Sequence, residues 1–172
     1  MMTLTLTIAT LLFFPAMMAF AASSDLFTMT ISNRLSIGLV AGFVALAFAA
    51  GVEPQVIGVH LLCGFACLAF TFTLFAFGWI GGGDAKLAAA TAVWLGFAHM
   101  ADYGAIASIL GGVLTLGIIQ MRGMTMPHWL AHSEWFARLN DPKNGVPYGI
   151  ALAAAGLLLY PDSQVFESVA RL

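Results

Sequence analysis

Apolar residues run along this chain in long blocks, and the polar positions gather at the joints between them. The blocks cover residues 4–23, 35–50, 56–79, 85–100, 103–120 and 146–160. A helix needs about 20 apolar residues to cross the ~30 Å hydrocarbon core of a bilayer. Only helices and closed barrels can span that core with their backbone groups satisfied. The pattern therefore predicts an all-α, polytopic integral membrane helical bundle of about six transmembrane helices, as one domain over residues 1–172.

The first block contains several threonines and Pro15, and Ala19-Phe20-Ala21 looks like a small-residue cleavage site. No Lys or Arg precedes its apolar run, so it reads as a retained span rather than a secretory signal. Gly51, Glu53 and Pro54 make the turn after the second block, and the fifth is rich in small residues suited to close helix packing. The longest connection covers residues 121–145. Within it, Pro127 is placed to start a short helix through Leu139, mixing Trp129, Leu130, Trp135 and Phe136 with His128, His132 and Arg138. That mixture suits a helix lying in the membrane interface. The stretch Asn140-Asp141-Pro142-Lys143-Asn144-Gly145 reads as a turn, and a short polar tail follows Tyr160.

Composition agrees with a membrane protein: 61% of the 172 residues are hydrophobic and 8% are charged. Soluble domains carry about 25% charged residues. No segment is long or polar enough for a separate soluble domain, and a net charge of -2 gives no basis for a nucleic-acid partner. The distribution of charge says more than its sum. If the N-terminus lies outside, Arg34, Lys86, Arg122, Arg138 and Lys143 all fall on the cytoplasmic side, leaving only Arg171 outside. Glu53, Asp102, Asp162 and Glu167 then lie outside, as do both termini. This arrangement places Asp25 and Asp84 at the same, cytoplasmic, membrane face.

The two cysteines, Cys63 and Cys67, stand four apart in an apolar run, a spacing that suits packing better than a disulfide or a zinc site. His128 and His132 also stand four apart but lack the glutamate of a His-Glu-x-x-His site, and neither they nor His60 and His99 make a convincing metal centre.

The strongest chemical candidate is Gly81-Gly82-Gly83-Asp84-Ala85-Lys86-Leu87, at the junction of two apolar blocks. An ionisable residue there is costly and marks a functional site by default. The glycines leave room for a substrate backbone beside the carboxylate. Asp25, in Ser24-Asp25-Leu26-Phe27-Thr28-Met29-Thr30-Ile31-Ser32-Asn33-Arg34, is its natural partner. Two carboxyls held close cannot both ionise cheaply, so one keeps its proton while the other stays charged. The charged one can take a proton from an attacking water, and the protonated one can donate to the oxyanion or leaving amine. The bland alternative is that each aspartate caps a helix or sits among lipid headgroups.

Three blocks carry a family resemblance. Ser24-Asp25 followed by Ile31-Ser32-Asn33-Arg34-Leu35 resembles the first block of type IV prepilin peptidases, with Ser32 where proline is usual. Gly81-Gly82-Gly83-Asp84-Ala85-Lys86-Leu87 is similar to that family's Gly-x-Gly-Asp motif with its following Lys-Leu. Val146-Pro147-Tyr148-Gly149-Ile150-Ala151 resembles the Pro-Tyr-Gly-x-Ala block that opens the last span. The resemblance implies a membrane aspartyl endopeptidase of the bacterial inner membrane, with Asp25 and Asp84 as its catalytic pair and no cofactor. It would cut the basic leader from prepilins or pseudopilins at the cytoplasmic face, commonly after a glycine. Small size and the lack of Cys-x-x-Cys pairs look most like the branch serving Flp-type tight-adherence pili, without N-methylation.

Among supporting residues, Lys86 either holds an anionic group or tunes Asp84, or else snorkels to headgroups. Asn33 either hydrogen-bonds near the site or serves a turn. Gly81, Gly83, Pro147 and Gly149 shape the site. A non-catalytic transporter or pilus-assembly subunit, binding an ion or proton at the aspartates, stays open at this point, although a carrier places such groups nearer the midplane. A presenilin-type intramembrane protease shares only the Gly-x-Gly-Asp phrase. Oligomeric state is not encoded in any of these features.

Overall fold

The computed structural model describes residues 2–124 and 133–170. The described residues form α1 (Met2–Thr28), α2 (Asn33–Ala49), α3 (Pro54–Ala76), α4 (Gly82–Leu95), α5 (Met100–Arg122), α6 (Glu134–Asn140), α7 (Gly149–Leu159) and α8 (Gln164–Ala170). Two 3-10 turns, Phe97–His99 and Tyr160–Asp162, lead into α5 and out of α7, and no strand occurs among the described residues. Four stretches are long and apolar enough to cross a membrane: Thr7–Thr28, Pro54–Ala76, Phe97–Arg122 and Gly149–Ser168. The protein is thus a multi-pass helical membrane bundle.

The remaining two apolar blocks become shorter helices. α2 has 17 residues and α4 has 14. At 1.5 Å per residue, α4 is about 21 Å long, less than a full span. It can be short because it is the centre of the bundle. Leu87 through Leu95 are all buried, and α2, α3 and α7 pack around them. Its alanines let these neighbours approach closely; on α3, Gly64 lies directly against Val93.

Several boundaries differ from those expected of the sequence. The first helix does not end near residue 23 but continues through Asp25 to Thr28, and Pro15 lies inside it. The reason is a buried stripe at helical spacing: Thr10, Phe14, Met18, Ala21 and Asp25 all face the interior. The fourth helix stops at Leu95 rather than Met100. Gly96 follows with φ +70, a left-handed conformation, and a side chain there would also press within 2.9 Å of the His60 ring. The last long helix begins at Gly149, not Val146, and the expected polar tail after Tyr160 folds as α8. Ser163 starts α8 by accepting the Phe166 N–H on its hydroxyl. Of the short helix expected from Pro127 through Leu139, the described residues form Glu134–Asn140. Pro127, His128, Trp129, Leu130 and His132 lie outside the described residues.

The core is anchored by Trp94 at the end of α4. Its ring is fully buried among Phe13, Phe14, Phe43 and Tyr160, and its indole N–H donates to the Leu39 carbonyl at 3.0 Å. Cys63 and Cys67 are free thiols, buried on the side of α3 that meets α4. His60 is buried too, with Nδ1 2.8 Å from the Val93 carbonyl and Nε2 3.3 Å from Gln164 Oε1. His99 Nε2 lies 3.0 Å from the Asp162 carbonyl.

Contacts sort the charged residues between two ends of the bundle. At one end, Gly149 meets Asp25, Lys86 meets Asn33, and Arg122 meets the loop that carries Lys143. At the other, Glu53, Gln164 and Glu167 line one open pocket, and His99 reaches Asp162. The basic end is also the end with Asp25 and Asp84.

Candidate active site

Asp25 ends the buried stripe of α1 and is itself only 5% exposed. A carboxylate so far from water needs a donor. It finds one across the bundle, where the Gly149 N–H donates to Asp25 Oδ2 at 2.7 Å. Gly149 is the first residue of α7, so the carboxylate sits on a helix N-terminus, where unpaired N–H groups and the helix dipole favour negative charge. The approach requires glycine. A methyl group built on Gly149 would stand 2.8 Å from Asp25 Oδ2 and 2.8 Å from Ile31 Cδ1. Pro147, fully buried two residues earlier, fixes the chain entering this turn.

Asp84 occupies a matching position on α4. It is the third residue of that helix, and its carboxylate turns back to accept the N–H of Gly81, the N-cap. This is half of a capping box. Here again a side chain at the glycine would intrude, its Cβ lying 2.8 Å from Asp84 Oδ2. Asp84 stands at the helix terminus, outside the four spanning stretches. Burial, and next the charge of Asp25, push its carboxyl up to about 7, with the Gly81 hydrogen bond pulling the other way. Both carboxyl groups engage a helix N-terminus, Asp25 that of α7 and Asp84 that of α4, at the same end of the bundle.

The loop between α1 and α2 closes the site from a third side. Met29 takes φ +53, a left-handed conformation rare outside glycine, and its N–H donates to the Asp25 carbonyl. Ser24 and Thr28 hydroxyls hold the turn by donating to the Thr30 and Ser24 carbonyls at 2.9 and 2.7 Å. Ser32, where the related block has proline, has φ -72, within the proline range, and its hydroxyl accepts the Leu35 N–H at 3.3 Å as the N-cap of α2. Two of the supporting residues meet each other: Lys86 Nζ donates to Asn33 Oδ1 at 2.8 Å, both exposed, tying the start of α4 to the start of α2. Gly83 lies against Ile31.

Arg122, counted in the sequence only as a loop charge, has a larger role. From the end of α5 its guanidinium donates to the carbonyls of Leu139, Asn144 and Gly145 at 2.8–3.1 Å. It gathers the segment that leads into Pro147 and Gly149. α6 in turn leans on α1 through Trp135, whose ring packs edge-on against Phe27, 5.7 Å between centroids. Nothing in the local sequence marks either contact, because both partners come from distant elements. Among the described residues, no group of three His, Cys, Asp or Glu side chains is placed to hold a metal.

A multi-pass helical bundle with two interacting carboxylates at helix N-termini on one end is the class of protein that fold and site define. The sequence model of the type IV leader peptidase family matches residues 12–116, more than half of the chain, and the protein belongs to that family. No curated protein and no solved structure matches it. The matched range includes both aspartates but ends before Pro147 and Gly149, which the Gly149–Asp25 hydrogen bond joins to the site.

Proposed function

We propose that the protein is an aspartic-type endopeptidase that removes the basic leader of prepilins at the cytoplasmic face of the bacterial inner membrane, with Asp25 and Asp84 as the catalytic pair. Two carboxyl groups at one end of a membrane bundle support this reading: Asp25 is held by the Gly149 N–H, and Asp84 is raised towards neutrality by burial and next by the charge of Asp25. The pair holds one proton at neutral pH and titrates as a unit. The ionised carboxylate takes a proton from water as its oxygen attacks the scissile carbonyl. The protonated one donates to the developing oxyanion; as the tetrahedral intermediate collapses, the carboxyl that took the water proton passes it to the leaving amine, and its partner regains a proton from the hydroxyl that becomes the new carbonyl. Gly81 lets the Asp84 carboxylate lie against the backbone, Gly83 admits Ile31, and Asn33 and Lys86 frame the opening where leader and mature segment would pass.

The cytoplasmic assignment rests on the charge rule, since the site end also carries Arg34, Lys86, Arg122, Arg138 and Lys143. Counting α2 and α4 as the shorter members, the bundle crosses six times as one domain, with both termini outside. Cys63 and Cys67 stand four apart and are buried, so they do not make a Cys-x-x-Cys zinc pair. That favours a prepilin of the Flp type and no N-methylation. A carrier that binds an ion at these aspartates is disfavoured by their position at helix ends.

Co-expression with a candidate prepilin, followed by gel shift, tests the proposal. Asp25→Ala and Asp84→Ala are each expected to leave the prepilin unprocessed while still inserting in the membrane. Full processing by either variant would remove the dyad.

A further inference from the structure

One buried aliphatic side chain touches both helix N-termini that hold the aspartates. Ile31 is 8% exposed and stands between α4 and α7. On the α4 side, its Cβ and backbone N lie 3.2 and 3.4 Å from where a Cβ of Gly83, the residue before Asp84, would be. On the α7 side, its Cδ1 lies 2.8 Å from the corresponding point on Gly149, whose N–H holds Asp25. The backbone that presents Ile31 is pinned on both flanks, by the Met29 left-handed turn and by the Ser32 N-cap. The two glycines lack side chains, so Ile31 is the material between the two helix ends.

Resting on the dyad reading above, we infer that Ile31 is a positioning residue: a wedge that sets the gap between the α4 and α7 N-termini, and so the separation of Asp84 and Asp25. It reaches no reacting atom. Its Cβ and Cγ1 meet the α4 side and its δ-methyl the α7 side, so the α7 contact can be removed by itself. Ile31→Val removes only the δ-methyl that meets Gly149. Ile31→Ala removes Cγ1 and the γ-methyl as well, leaving only the Cβ against Gly83. A misplacement of the order of 1 Å between catalytic groups costs about 100-fold in rate. The loss falls on kcat, since the substrate's own contacts are untouched.

The test uses the full-length protein purified in detergent. Its probe is a synthetic peptide with a short Lys/Arg-rich leader, a glycine and an apolar stretch. Ile57→Val and Ile57→Ala are the controls, because Ile57 is equally buried at 3% exposure but lies in the first turn of α3, at the opposite end. Ile31→Val is expected to lower kcat by about tenfold and Ile31→Ala by about 100-fold, with KM within about twofold of the parent. The Ile57 variants are expected to lower the melting temperature as much but leave kcat unchanged. Equal kcat losses at positions 31 and 57 would overturn the wedge, and so would a rise in KM at constant kcat. Asp25→Ala and Asp84→Ala are assayed beside them. If these remain active, the dyad falls and the wedge with it. If they are dead while Ile31→Ala cuts at the parental rate, the wedge alone falls.

Discussion

Asp84 illustrates how a helix cap becomes a chemical group. The Gly81 N–H would favour its ionised form, yet burial and the neighbouring Asp25 outweigh that and push its carboxyl up to about 7. Below that value Asp84 keeps its proton, and above it the proton is lost. If the singly protonated pair is the working form, cleavage falls as pH rises through about 7, and a pH–rate profile of the purified enzyme checks this. Gly149→Ala is expected to lower cleavage by about 100-fold, because its methyl meets both Asp25 Oδ2 and Ile31. Membrane insertion should be unaffected, which immunoblotting of membrane fractions reads. The exposed Lys86–Asn33 pair is different: Lys86→Ala is expected to cost at most about 1 kcal/mol of stability, measured by thermal unfolding in detergent. At this scale the sequence made Asp25, Asp84 and the glycines legible as candidates, since carboxylates are rare in apolar chains. It did not reveal what each carboxylate accepts from. The Gly149 N–H is 124 residues away from Asp25, and no local pattern links them.

The short, wholly buried α4 is the element on which the others depend. Trp94 closes its far end with a hydrogen bond to α2 and ring contacts to α1, α2 and the turn after α7. Trp94→Ala is expected to destabilise the protein by about 3–5 kcal/mol, read as a lower melting temperature in detergent, since it opens a cavity and leaves the Leu39 carbonyl without its side-chain donor. The existence of six apolar helical segments could be read from hydropathy alone. Their ends could not. Asp25 and the polar Ser23-Ser24 look like the end of a span, whereas the spacing of Phe14, Met18, Ala21 and Asp25 keeps one face of α1 buried to its last turn. The helical form of the segment after Tyr160 was hidden for a similar reason: it folds back against α1, with Phe166 on Tyr160, and its polar residues face outward.

The whole molecule has one end that holds the aspartates and five of the six basic residues, and an opposite end that holds Glu53, Asp162 and Glu167. The positive charges could be sorted from sequence because they follow the order of spans, while the contacts that join the site's three segments are long-range. With Cys63 and Cys67 replaced by alanine, a single cysteine at Asn33 is expected to resist a membrane-impermeant thiol reagent in intact cells, and one at Asp162 to react. The reverse pattern would invert the topology. Whether two carboxyl groups cut the leader is read from initial cleavage rates of the purified protein on a prepilin. Asp25→Asn and Asp84→Asn keep the size of each side chain and an oxygen for the Gly149 and Gly81 N–H groups, but remove the acid. Each is expected to lower the rate by at least about 100-fold with the melting temperature preserved; a parental rate from either would contradict the account.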